Sequence, residues 1–231
     1  MLGALGWGTL AASSVMIGAL LGCLRAWPAK PLGQLLGFGA GALISAISFE
    51  LFDSGFQHGG GTAVTIGLAT GALTYFTTNR QLERRGSSSG GTGLALGAFL
   101  DGIPEQLALG LGLASGRGVS IGLLVAVFVS NLPESIGSAA EARSAGTATA
   151  STLRLWAGVT AVSILATVVG YATLNGASGN IVAGIEGFAA GALIVMLVDT
   201  MIPDATRRAG GTTGLFTTLG FAVAALISYA G

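Results

Sequence analysis

Charge is scarce in this chain. Ten basic and ten acidic residues make up 9% of it and cancel to a formal net charge of zero, against 52% hydrophobic residues. There is one cysteine, Cys23, which excludes an intrachain disulfide framework. There is one histidine, His58, and His-Glu-x-x-His does not occur, so the chain is expected not to be an enzyme. Long polar stretches are missing too. No segment outside the apolar blocks could bury a core of its own, and residues 1–231 therefore read as a single transmembrane domain. The first block has no basic stretch ahead of it and no clear small-residue cleavage site; it is expected to stay as a helix and not to be removed as a signal peptide.

What is present is apolar and comes in blocks of roughly 20 residues, about what a helix needs to cross ~30 Å of hydrocarbon. The blocks are 4–23, 33–52, 61–79, 91–113, 119–137, 155–174, 180–201 and 212–230. An all-α membrane protein with eight transmembrane helices is the expected fold. Forty glycines suit it, because small residues let helix backbones approach closely in lipid, where packing replaces the hydrophobic drive. Nine of the ten basic residues (Arg25, Lys30, Arg80, Arg84, Arg85, Arg143, Arg154, Arg207 and Arg208) fall in odd-numbered connections, and only Arg117 falls in an even one. Lys and Arg are held on the cytoplasmic side, which puts both termini outside.

Gly37-Phe38-Gly39-Ala40-Gly41-Ala42-Leu43-Ile44 recurs 150 residues later as Gly187-Phe188-Ala189-Ala190-Gly191-Ala192-Leu193-Ile194, with seven of eight positions identical. On the span count the second helix runs outward and the seventh inward. That predicts an inverted repeat, helices 1–3 against 6–8, around a central pair of helices 4 and 5. Carriers that open alternately to either side are commonly built this way.

The central pair has its own internal match. Asp101-Gly102-Ile103-Pro104-Glu105 and Ser130-Asn131-Leu132-Pro133-Glu134 carry Pro-Glu at an offset of 29. Each proline removes one backbone hydrogen bond and crowds the carbonyl four residues back, so bends that free the carbonyls of Leu100 and Val129 are expected. Asp101 and Glu105 share a helical face, as do Ser130 and Glu134, with Asn131 beside them. A carboxylate at mid-bilayer costs ~2.5–3.5 kcal/mol on the insertion scale. No Lys or Arg lies within the eight spans. The compensating charge is then a bound cation or protons, the plainer alternative being protonated glutamates bonding across helices. Glu50 and Asp53 at one end of the second span, and Asp199 and Asp204 at the end of the seventh, read either as acidic mouths or as ordinary interfacial carboxylates, and Glu186 fits either class. His58, in a Gly-rich connection, reads as incidental rather than metal-capturing.

Eight spans with both ends outside, a cytoplasmic connection between the third and fourth, and paired Pro-Glu motifs resemble the ZIP (Zrt-, Irt-like protein) divalent-metal transporters over essentially the whole chain. Gly-Ala-Leu-Ile ahead of Glu50 and Asp53, and again ahead of Asp199 and Ile202-Pro203-Asp204, is similar to the family's second and seventh helices. The resemblance implies a secondary transporter in the plasma membrane that carries a divalent metal cation toward the cytoplasm through a mid-membrane site. By position the metal ligands are Asp101, Glu105, Ser130, Asn131 and Glu134. It also implies a bundle of helices 1, 4, 5 and 6 holding the substrate against a wall of helices 2, 3, 7 and 8, a natural surface for a homodimer.

Departures from the family pattern qualify the cargo. Asp101 and Ser130 stand where the family has histidines, Gly102 where it has a polar neighbour, and Thr167 where a glutamate is often found in helix 6. With every imidazole gone, the oxygen donors suit harder ions such as manganese, magnesium or calcium better than zinc, and a single bound ion rather than two. No cofactor is expected to be bound permanently. The transported ion is zinc, manganese, iron or similar, and the expected partners are that ion, membrane lipid and a second copy of the chain, with no nucleic acid. The same fold moving protons or another non-metal cation is the alternative.

Overall fold

The computed structural model describes the backbone of residues 1–84, 91–114, 120–173 and 177–230, and the side chains of the same ranges apart from 83, 91–101 and 230. Every regular element among them is helical. α1 is Leu2–Leu24; α2 is Ala29–Ala46 and continues through a π turn, Ile47–Phe52, into α3, Asp53–Arg84. α4 is Gly91–Ala114, α5 Ile121–Ser144 and α6 Thr149–Thr173. α7, Gly179–Met196, passes through a second π turn, Leu197–Met201, into α8, Ile202–Ala209, and a 3-10 turn, Gly210–Thr212, leads into α9, Thr213–Ala230.

Five helical runs among the described residues are long and apolar enough to cross a membrane: Leu2–Leu24, Ala29–Leu82, Ile121–Ser144, Thr149–Thr173 and Gly179–Tyr229. Helix is what such a sequence must form in lipid, because no water is there to satisfy an open N–H or C=O. Leu2, Leu24, Ile66, Leu73, Leu165, Val198, Leu215, Leu226 and Tyr229 lie exposed on the outside, where an apolar solvent would cover them.

The second of these runs is 54 residues long, and it turns back on itself. Gly60 has φ 77 and ψ 172, a backbone state open to glycine alone at little cost. Ahead of it, Gly55 packs beside Ala183 and Gly59 beside Gly179, so the chain runs antiparallel to α7. Beyond it, Val64 meets Gly187 and Leu68 meets Gly191, so the chain runs parallel to α7. Gly210, at φ 62, interrupts the other long run. The two π turns begin at Ile47 and Leu197 and the two breaks fall at Gly60 and Gly210, the same spacing of 150 that separates the Gly-Ala-Leu-Ile stretches.

Helices pack in two groups. α3 lies along α7 and α2 along α9. Gly41 sits on the carbonyl of Thr217, Gly191 on that of Leu68, Gly220 on that of Phe38 and Gly71 on that of Phe188, so closely that a methyl group in any of the four would overlap a backbone oxygen. In the second group α1 contacts α5 and α6, and α4 contacts α6. α2 against α5 joins the groups, with Gly39 pressed on the backbone of Ser130.

Two expectations need correction. The second span was expected to end at residue 52 with His58 in a following loop, but the chain stays helical to the Gly60 break and His58 is on α3. The apolar window stops where polar residues begin, whereas the helix continues because Gly55 and Gly59 can press against α7. Likewise the connection after residue 201 is mostly helix, formed by α8. α4 and α5 continue as helices through Pro104 and Pro133, each proline lying inside its helix.

Candidate metal centre

Glu105 projects from α4 into the contact with α5 and is 2% exposed. Both of its carboxylate oxygens accept from α5. Ser130 Oγ donates to Oε1 at 3.1 Å, and Asn131 Nδ2 donates to Oε2. The same two groups also reach the carbonyl of Val127, each at 2.9 Å, which fixes them against their own helix. Ser135 Oγ donates to the Asn131 carbonyl at 2.7 Å, and Gly18 of α1 packs on Ser135, leaving no freedom for that turn. A carboxylate, a hydroxyl and an amide thus share one buried spot, all able to offer oxygen to a hard cation.

Of the five residues singled out in the sequence, three are therefore in contact: Glu105, Ser130 and Asn131. Glu134 is half-buried, four residues beyond Ser130 and on the same face of α5. Asp101 is helical in α4, but its side chain lies outside the described residues. Among the described residues no three His, Cys, Asp or Glu side chains gather as a metal-ligand group.

Gln106 was missed in the sequence. It is fully buried next to Glu105, and its Oε1 accepts from Thr167 Oγ1 of α6 at 2.6 Å. Its Nε2 has no partner among the described residues. Exchanging the amide's O and N keeps the bond to Thr167, now with Nε2 donating, and turns the open group into an acceptor. The signal was available: a glutamine in mid-span, beside a carboxylate, has no apolar reason to be there.

Glu50, Asp53, Asp204 and Glu186 have protein partners. Glu50 accepts from Ser228 Oγ at 2.6 Å, and Asp53 from Gln57 Nε2 at 2.7 Å. Asp204 is paired with Arg207 and Arg208, and Arg208 reaches across to Glu141 of α5. Asp204 is thus neutralised by arginine, which weakens the acidic-mouth reading at that end. Glu186, 1% exposed on α7, accepts from Ser54 Oγ at 2.8 Å and lies 3.3 Å from His58 Nδ1. His58 is therefore not incidental to the structure.

No family model matches the chain. It is 29% identical over 185 residues to the Arabidopsis thaliana protein named "Putative zinc transporter At3g08650", a match that covers 75% of this chain and 30% of that protein's length.

Proposed function

We propose that the chain is a multi-pass secondary carrier of ZIP type that moves a divalent metal cation toward the cytoplasm. Its site is on α4 and α5, with Asp101, Glu105, Ser130, Asn131 and Glu134 as ligands. One observation carries this reading: Glu105 is buried between α4 and α5, within apolar spans 91–113 and 119–137 that hold no Lys or Arg, and it meets oxygen-bearing side chains of the facing Pro-Glu element. A carboxylate buried within a membrane span is costly and is characteristic of ion pathways. The similarity to a protein named for zinc transport supports a metal cargo.

Eight crossings follow if each of the two long runs crosses twice. The 54-residue and 51-residue runs are each more than double the ~20 residues one crossing needs, and each is broken at a glycine of positive φ. α4, 24 residues long and without Lys or Arg, supplies the eighth. The recurrence of π turn and break at one spacing, and the reversal at Gly60 that leaves α7 antiparallel to the chain just before it, support an inverted repeat. The distribution of Lys and Arg supports termini on the side away from the cytoplasm.

Uptake into proteoliposomes of zinc, manganese and iron(II) tests the site. The Glu105→Ala/Glu134→Ala double variant is expected to lose uptake of every metal while its circular dichroism stays helical. Uptake persisting at the wild-type level rejects the site. Because the ligands must be deprotonated, metal binding is expected to weaken as pH falls. Proton carriage by the same fold is the second reading, favoured by the absence of imidazole around Glu105; a purified chain with no saturable metal site supports it.

A further inference from the structure

We infer that Ser54, His58 and Glu186 form a second cation site, separate from the α4–α5 centre, that takes a zinc-type transition-metal dication. The chain's one imidazole faces a carboxylate that is 1% exposed, and a hydroxyl touches both. His58 Nδ1 is 3.3 Å from Glu186 Oε2 and 3.3 Å from Ser54 Oγ, and Ser54 Oγ is 2.8 Å from Glu186 Oε1. An ion with tetrahedral bonds of about 2.0–2.2 Å holds its donors roughly 3.3–3.5 Å apart. Both distances from Nδ1 match that edge; the hydroxyl–carboxylate distance needs a small opening.

The arrangement is not a nucleophilic triad. Serine and glutamate both address Nδ1, so the imidazole does not bridge them as a general base would. Its donor set is instead one nitrogen with two oxygens, which suits zinc and its neighbours better than magnesium or calcium. Three protein donors leave a fourth position for water. His58 is the accessible member of the group, its side chain being 31% exposed. Ser54 and His58 lie one helical turn apart on α3 just before the Gly60 reversal, and Glu186 is held opposite by α7. A metal entering here takes the Nδ1 lone pair of the imidazole in its Nε2–H tautomer, and the Ser54 hydroxyl turns its proton away from Glu186 to offer its oxygen.

Zinc titration of the detergent-purified full chain, in competition with a chelating indicator, tests this in a Glu105→Gln/Glu134→Gln background. One saturable equivalent is expected there, and adding His58→Ala should weaken it at least tenfold. Cobalt(II) in the same background should give a visible absorption band that His58→Ala abolishes. No saturable zinc in that background, or an affinity unmoved by His58→Ala, overturns the site and leaves the cluster a structural hydrogen-bond group. Glu186→Gln can fail to fold, so the partly exposed His58 carries the test, with the metal-free melting temperature as its control. Failure of the α4–α5 reading shows separately, as uptake that survives loss of Glu105 and Glu134.

Discussion

Glu105 and Glu186 are both buried to within 2% of full enclosure, and both are held by side chains of a facing helix. Around Glu105 the partners include a hydroxyl and an amide; around Glu186 they include a hydroxyl and an imidazole. The first set stays neutral across the physiological range, so a cation drawn to Glu105 meets fixed oxygen dipoles. The second adds a nitrogen donor to the oxygens. The two carboxylates therefore call for different cations. Location separates them as well: Glu105 lies between α4 and α5 of one group, whereas Glu186 is inside the α3–α7 pair of the other, next to a chain reversal.

The largest expected effect breaks the comparison outright. Glu105→Gln should lower metal uptake by more than about 100-fold, because even outer-shell changes at metal sites cost ~10–100-fold. His58→Ala should leave maximal uptake within about threefold and instead raise the half-saturating metal concentration at low supply, as loss of a capture site rather than a passage site would. Equal losses in the two variants would mean that both carboxylates lie on one path. A donor swap sharpens the same contrast: Ser130→His puts an imidazole beside Glu105, and selectivity for zinc over manganese should rise roughly tenfold. Competition uptake with paired isotopes measures it.

Much of this was readable from the chain. The apolar blocks and paired Pro-Glu elements led to α4 and α5, and the Glu105–Ser130–Asn131 contact falls on residues picked by spacing. Glu186 and His58 could not be paired in this way, since they are 128 residues apart and no local pattern links them. Only the packing of the segment just before Gly60 against α7 brings them together. Helix ends were misjudged for a related reason: hydropathy marks where lipid contact ends, while a helix ends where packing or a glycine of positive φ stops it, as at Gly60 and Gly210. The close approaches at Gly41 and Gly191 were half legible, because small residues at a spacing of four announce a crossing without naming the helix that crosses.

A smaller effect concerns the two serines. Ser130 and Ser54 are each fully buried and each donates to one oxygen of its carboxylate. Truncation to alanine removes a bond to a charged acceptor, so each variant should lose about 1–3 kcal/mol. Thermal unfolding in detergent separates them: zinc should restore more stability to wild type than to Ser54→Ala, while manganese should discriminate Ser130→Ala in the same way. Matching responses to both metals would erase the distinction between the two sites.

The smallest expected effect falls on Gln106, which stands between the two kinds of behaviour. Its amide spends one end on Thr167 and leaves the other without a partner among the described residues. If that end has only a structural role, Gln106→Leu fills a similar volume and removes a buried, poorly satisfied polar group. Replacing Thr167 by valine at the same time takes away the partner as well. Exchanging both members of such a pair for apolar groups of the same shape is close to neutral, within about 1 kcal/mol, so the double variant should melt near wild type. If instead the amide turns its oxygen toward a passing cation beside Glu105, the double variant should keep its stability and lose uptake by several-fold. The unfolding midpoint and the uptake rate, measured on one preparation, then tell a packing residue from a ligand, and decide whether the α4–α5 centre extends to α6.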